Sequence, residues 1–575
     1  LSAASETDYT VRAHVAGLEP DTIYYYRFMG GAESASRTGR TRTAPAPDHA
    51  RPVNVAFVSC QNYENAHYGS WARMLADDRA APGSERIDFV LHLGDFIYER
   101  SWHRRQDGSA KARRVPPFPD GAETGKNRYA VSLADYRHLY KTYLEDPHLQ
   151  DARARWPFVC TWDDHEFSNN CFQSYSTYSG EYVLEPQRKI SANQAWFEFI
   201  PAMLDELTEQ PARGFSPPSD GAAVDNREAV DTLCIYRKLS WGRYLDIVLT
   251  DTRSYRSPPA LPDGFAESLN LPLAPVDLVE IADAGREYAG GNPPTLLPYG
   301  RDVANPGRER EPGSILGTQQ RNWFLKTLGQ STAHWKLWGN SLPLIPMRLD
   351  LSTLPFTVYE DSIFNLDPWA GYPYEVRNLM DALRDAGLSG LVSLSGDHHM
   401  HGAGTVSRSP GEPEAPSVLA DFTVAGISSA PIFEDLLAIA RDNYGNFNTL
   451  VYRETGGEVE PVWNMSLLDG VLAAYLYAKT GMRTMARWFG PNEANPGLRY
   501  VDTTANGYGL ARFDADQLTV RHITMEDCRP AFETPPGIRH TATLRVARWE
   551  ADGSPTIEGP TFEGGAPFPF DVDRA

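Results

Sequence analysis

Four short apolar runs in this chain stop at side chains of the kind that hold metal ions. They are Val55–Gln61 (VAFVSCQ), Phe89–Glu99 (FVLHLGDFIYE), Val159–Asn170 (VCTWDDHEFSNN) and Leu391–His401 (LVSLSGDHHMH). A buried strand that delivers ligands and a proton donor to a pocket at its carboxyl end reads this way. Between the runs lie segments of helical spacing, such as Leu133, Tyr136, Leu139, Tyr140 and Tyr143, which predict a helix from Ser132 through Leu144. Further helices are expected near Tyr68–Asp78, Ser191–Ile200, Gln319–Leu328 and Trp369–Ala386. Strands are expected at Asn54–Ser59, Asp88–Leu93, Pro157–Thr161, Trp335–Gly339, Leu391–Ser395 and Asp421–Val424, with a hairpin joining Leu233–Ser240 to Tyr244–Thr250. This alternation predicts a layered α/β architecture.

The rhythm differs at the two ends and in three places between them. Residues Thr7 to Thr43 alternate as strands do, in YTVRAHV, IYYYRFM and SRTGRTRTA, with a corner at Gly17–Thr22, and Pro45–Pro52 reads as a linker. The stretches at about 104–128, 209–231 and 257–313 are Pro/Gly-rich and charged, which predicts long surface loops at the rim of a site or over it. Asn495–Met525 reads as strands around a Gly-rich turn. Leu467–Met482 is the most apolar run, but Asp469 and Lys479 inside it favour a buried helix over a membrane span. Leu1 opens directly into polar sequence, so no signal peptide is expected in this stretch of chain.

Charge narrows the partners. With 54 Lys and Arg against 75 Asp and Glu the formal charge is −21, which disfavours nucleic acid as a stable partner. Acidic residues at strand ends suit bound cations instead. Of the five cysteines, Cys160, Cys171, Cys234 and Cys528 are able to pair in an oxidising compartment, although their spacing is not that of a disulfide scaffold.

Each cluster has a chemical and a bland reading. Asp95 and Tyr98 stand three apart after a strand; the carboxylate is able to bridge two cations and the phenolate to bind a hard ion such as Fe(III), or Asp95 caps a helix and Tyr98 packs. Cys60 is a thiolate ligand beside a metal and otherwise a small buried hydrophobe. Asp164-His165 supplies a cation ligand and a general acid, with Asp163 and Glu166 orienting them or holding a further cation, or the whole is an acidic turn. In an extended segment Asp397 and His399 face one site while His398 turns aside. Asn340 ends a strand, and Arg253 is either a phosphate clamp or the partner of Asp251. No GxSxG elbow, HExxH helix or Walker loop competes with these groups.

Taken together, Ser59-Cys-Gln-Asn-Tyr63, Gly94-Asp-Phe-Ile-Tyr-Glu99, Trp162-Asp-Asp-His-Glu166 and Ser395-Gly-Asp-His-His399 resemble the PhoD-type alkaline phosphatases, a branch of the calcineurin-like metallophosphoesterases. The opening resembles the last strands of a fibronectin type III-like sandwich, placed at residues 1–47, ahead of a catalytic domain at 48–575. The resemblance implies a four-layer αββα core and a secreted or periplasmic bacterial phosphatase acting on small phosphate esters, without a transmembrane segment and monomeric. It implies Fe(III) held by Cys60, Asp95, Tyr98 and His399, and one or two Ca2+ held by Asp95, Asp164, Asn340 and Asp397. His165 corresponds to the histidine that assists the leaving group, and Arg253 and His398 are expected on the substrate. Rival expectations are a phosphodiesterase or phospholipase D activity at the same metals, and a non-catalytic calcium-dependent surface module. The run Cys171–Tyr178 departs from the family pattern after the DDHE motif, at the substrate rim.

Overall fold

Val55 and Phe57 face one way along their strand and Ala56 and Val58 the other, and all four are buried. A strand buried on both faces requires cover on both sides. The first pair joins a cluster with Leu245, Ile247, Trp335, Leu337, Val392 and Leu394 of a second sheet, whereas the second pair meets helices.

The computed structural model describes residues 1–30, 34–102, 104, 110–125, 127–178, 181–207, 209–218, 224–262, 264–268, 273–298, 303–354, 361–412, 414–443, 447–482 and 492–571. Among these, two seven-stranded sheets form the centre. In chain order their strands are β1 (Val53–Val58), β2 (Phe89–His92), β3 (Phe158–Cys160), β4 (Arg237–Trp241), β5 (Leu245–Leu249), β6 (Trp335–Gly339), β7 (Leu391–Ser395), β8 (His401–Val406), β9 (Leu419–Thr423), β10 (Leu498–Asp502), β11 (Gly507–Phe513), β12 (Gln517–Met525), β13 (Ile538–Ala547) and β14 (Ile557–Gly564). The first sheet runs β3-β2-β1-β11-β12-β13-β14 and the second β4-β5-β6-β7-β9-β8-β10. Within them β3, β2 and β1 are parallel, as are β5, β6, β7 and β9.

Helices close both outer faces. Four cover the first sheet: α1 (Gly69–Ala80), α2 (Leu133–Leu144), α3 (Pro147–Arg155) and α4 (Pro186–Phe199). Ser132 starts α2 as expected, its side chain accepting the Asp135 N–H while the Asp135 carboxylate takes the Ser132 N–H. On the second sheet α5 (Gly317–Gln330) and α6 (Pro373–Asp385) pack Phe324, Leu328, Leu379 and Leu383 onto Val248, Trp338, Leu391 and Leu419. The layers are therefore helix, sheet, sheet, helix, as the resemblance implied. Each fully buried aliphatic side chain of these cores is worth about 1.5–3 kcal/mol.

Several local expectations are corrected. Residues 9–15 form no strand; Arg12 there donates instead to the carbonyls of Phe197 and Ile200, at 2.6 and 2.9 Å. The strand Ile23–Tyr26 pairs with Gly39–Arg42. Pro45–Pro52 carries no helix or strand but is not slack, since Arg51 binds both Asp21 and Asp88. The apolar run at 467–482 is broken at Asp469-Gly470 into the ends of two helices, Val462–Leu468 and Val471–Thr480. The stretch 257–313 is more than loop: it contributes the helix Val276–Ala284 and a small core around Leu261, Leu278 and Ile281. Parts of all three expected rim loops (105–109 and 126, 219–223, and 263, 269–272 and 299–302) lie outside the described residues. All five cysteines are free and buried.

Candidate metal centre

The carboxyl ends of β1, β2, β3 and β7 meet where the two sheets pinch together. Gly396, just past β7, allows this closure: a Cβ there would lie 2.5 Å from the Ser59 Cβ, and the Ile427 N–H reaches across to the Ser59 carbonyl at 3.0 Å. Gly94, just past β2, has φ +107°, and a Cβ on it would lie 2.5 Å from the Asp163 nitrogen. Both glycines are required by close approach. The chain then makes abrupt left-handed turns at four non-glycine residues, Cys60 (φ 55°), Asp95 (56°), Asp397 (62°) and His399 (49°). Such conformations cost about 1–3 kcal/mol each and persist where the surroundings impose them, typically at functional sites.

These turns bring expected ligands together. Ligand atoms of Cys60, Asp95 and His399 lie within 4.8 Å of one another; so do those of Asp95, Asp164 and His165, and those of Asp163, Asp164 and Asp397. The Tyr98 hydroxyl donates to Asp95 Oδ2 at 3.0 Å and lies 3.1 Å from His399 Nε2 and 2.8 Å from Ser429 Oγ. Burial drives the Asp95 and Asp397 carboxyls well above their ordinary range, with neighbouring carboxylates adding to it, and pushes Asp163 up to about 6. The Cys60 thiol is also raised, by burial and then by Asp95. Asp95 Oδ1 and Asp163 Oδ2 are buried without a hydrogen-bond partner among the described residues. A thiol, a phenol, an imidazole and crowded carboxylates with orphaned oxygens fit metal cations, which would relieve the repulsion and satisfy those atoms.

The route to convergence differs from the expected extended segment. Asp397 and His399 sit in turns and belong to different trios, at opposite ends of the cluster. His398 is buried, which lowers its pKa to about 3, and its Nε2 lies 3.7 Å from Asp397 Oδ2. Asn340 is buried at the end of β6, its Oδ1 accepting the Trp369 indole N–H at 3.2 Å.

Arg253 is not a free clamp. Its guanidinium is fully buried and bound to Asp163 at 2.6 Å and Asp367 at 2.9 Å, with Asp397 at 3.7 Å. The expected link to Asp251 runs through the Arg253 backbone N–H, at 3.0 Å. Spent in this way, Arg253 ties the turn after β3 to the turn after β7.

His165 stands at the edge of the cluster. Its Nδ1 is 2.6 Å from Glu99 Oε2, and Glu99 also accepts from the Asn169 N–H and the Tyr178 hydroxyl. Against the downward push of burial, the carboxylates of Asp164, Glu99 and Asp95 hold the His165 pKa well above its ordinary value. Glu166 accepts from the N–H groups of Asp95, Phe96 and Asp163, splinting the two ligand turns together. Glu99, Tyr178, Asp367 and Ser429 had no assigned role in the sequence. Glu99 was within reach, as it ends the GDFIYE motif; Asp367 and Ser429 carry no local signal. Tyr98, Arg100, Lys111, His165, Asn169 and His399 line a cleft that opens this edge to solvent.

Comparisons with known proteins place the chain in a family. The family model described as PhoD-like phosphatase matches residues 55–459, more than half of the chain, and the model of the PhoD-like phosphatase N-terminal domain matches residues 1–45. Alkaline phosphatase D of Bacillus subtilis (strain 168) is 28% identical over 392 residues, covering 68% of this chain and 53% of that protein. The chain thus spans about half the length of that relative. A solved structure of PhoD superposes with a TM-score of 0.63 at 21% identity, covering 97% of this chain and 81% of that one, which shows a common fold. No helix among the described residues is long and apolar enough to cross a membrane. The chain belongs to the PhoD-like phosphatase family.

Proposed function

We propose that this chain is a metal-dependent hydrolase of phosphate monoesters. The observation that carries the proposal is the sharing of Asp95 and Asp164 between adjacent ligand trios, with His165 within the same 4.8 Å neighbourhood. Cations held by these residues would supply Lewis acidity toward the phosphoryl oxygens and toward the attacking water. In this reading Cys60, Asp95, Tyr98 and His399 would hold Fe(III), and Asp95, Asp164, Asn340 and Asp397 would hold Ca2+.

The chain's own residues do the rest. Glu99 fixes the His165 tautomer and orientation through Nδ1, which leaves Nε2 to give its proton to the departing alkoxide. Glu166 keeps the turns after β2 and β3 in register with each other. Arg253 neutralises Asp163 and Asp367 from inside the protein.

The name of the curated relative, alkaline phosphatase D, supports the monoester. Elemental analysis of the purified protein beside a p-nitrophenyl phosphate assay tests the proposal. Bound iron and calcium with turnover are expected. No turnover in metal-replete protein, or full turnover in Asp95→Ala, removes it. A lipid diester assayed in parallel separates the phosphodiesterase or phospholipase D alternative. Export from the producing cell belongs to the same proposal and is checked by assaying the culture medium and periplasm.

A further inference from the structure

Arg100 directly follows Glu99, the partner of the His165 ring, and its short strand Arg100–Ser101 is held by pairing with Arg128 and Tyr129. Its guanidinium lies over the Tyr178 ring, 5.9 Å from the centroid. That ring is pinned in turn, because its hydroxyl donates to Glu99 and Arg188 lies over the same ring at 5.1 Å. Neighbouring arginines are neutralised: Arg113 by Asp146, Arg128 by Glu123 and Arg137 by Glu198, each at 2.6 Å. Among the described residues no carboxylate or carbonyl partners the Arg100 side chain.

The position of this arginine gives it a task. It lines the same cleft as Tyr98, His165 and His399, with Lys111 and Arg104 also contributing to the lining. The same lining carries Glu64, Glu434 and Asp435, so the cleft as a whole is not cationic, and it is the place of Arg100 beside His165 that favours an anion there. A guanidinium fork is suited to gripping two oxygens of a phosphate or carboxylate at once. His165 faces the leaving oxygen in the reading above, so the cleft that it shares with Arg100 receives the alcohol portion of the ester.

We infer that Arg100 binds a second anionic group on the leaving alcohol, so that the preferred substrates are phosphate esters whose alcohol portion bears its own carboxylate or phosphate. The inference rests on the phosphatase reading and adds the substrate class. Glycerol 3-phosphate and 3-phosphoglycerate differ at the far carbon, hydroxymethyl in one and carboxylate in the other. The experiment compares kcat/KM for the two in the metal-loaded full chain, in Arg100→Gln and in Arg100→Lys, with thermal melts confirming that each variant is folded.

The wild type is expected to favour 3-phosphoglycerate by about tenfold or more, the order that a hydrogen bond to a charged group contributes. Arg100→Gln is expected to bring the ratio close to one, chiefly through KM for 3-phosphoglycerate, and Arg100→Lys to keep part of it. A wild-type ratio near one, or a ratio that Arg100→Gln leaves unchanged, overturns the inference while the phosphatase reading stands on the turnover observed. No turnover of either ester, or of p-nitrophenyl phosphate, overturns that reading and this inference with it.

Discussion

The Nδ1 atom of His165 lies 2.6 Å from Oε2 of Glu99, a carboxylate with no solvent exposure. A buried carboxylate in that position does two things to an imidazole: it fixes the tautomer and it favours the protonated ring. Glu99→Gln is therefore expected to lower kcat for p-nitrophenyl phosphate by about 10²-fold or more, the order of a general-acid contribution, with metal content unchanged. The pH profile gives the sign. A general acid works while protonated, so activity is lost as pH rises through its pKa. Because Glu99 raises the His165 pKa, its removal is expected to move the alkaline limb of kcat/KM to lower pH. An unmoved limb contradicts the assignment.

Asp95 belongs to two ligand trios and Cys60 to one. Asp95→Ala is expected to lose both kinds of ion and all measurable turnover. Cys60→Ser is expected to lose iron, together with the visible absorbance that a tyrosinate or thiolate gives on Fe(III), while retaining calcium. Elemental analysis and an absorbance spectrum of each variant check both outcomes, and equal metal loss in the two contradicts the shared-bridge arrangement.

Arg253 is a buried cation among three carboxylates contributed by distant parts of the chain. Arg253→Met strands Asp163 and leaves Asp367 to Arg256 alone, and is expected to cost about 3–5 kcal/mol in urea unfolding, as for other broken buried pairs. Adding Asp163→Asn to that variant removes a charge whose ion-pair partner was Arg253, so the double variant is expected to recover part of the loss. If Arg253→Met instead retains full stability and changes only KM, the residue acts on substrate after all.

Asp283 offers a pH test away from the centre. Burial raises its pKa to about 8; Oδ2 accepts the Tyr374 N–H, while Oδ1 has no partner among the described residues. The folded state thus holds a proton that the unfolded chain releases near the ordinary carboxyl value. Stability from this group is fully present below about pH 4 and falls as pH rises toward about 8. Asp283→Asn carries no such titration. The difference in Tm between the variant and the wild type is expected to move in the variant's favour across that window. A constant difference from pH 4 to 8 contradicts the assignment.

Much of the fold was written locally. The buried strand at Val55–Val58 and the helix that starts at Ser132, with its apolar spacing, depend on residues a few positions apart, and the structure places them as expected. Strand β6 at Trp335–Gly339 and strand β7 at Leu391–Ser395 have the limits read from their composition. The broken helix at Asp469-Gly470 was legible in principle, since Gly470 adopts φ 94°, which glycine favours. The missing strand at residues 9–15 was not, because alternation alone does not supply a neighbouring strand to pair with.

By itself, the sequence determined which chemical groups stand at the ends of buried strands: Cys60, Asp95, Asp164, Asp397 and their neighbours follow apolar runs whose period and length are local properties. Only the tertiary structure decided which of these groups meet and which are withdrawn. Left-handed turns at Cys60, Asp95, Asp397 and His399 go with close approaches of distant chain segments, between the two sheets at Gly396 and between neighbouring strand ends of one sheet at Gly94. Tyr98 meets Ser429 across 331 positions and Arg253 meets Asp367 across 114. Contacts at such separations follow from strand order and sheet packing, so the same arginine that reads as a phosphate clamp in the linear chain is, in the folded protein, a buried tie between its two halves.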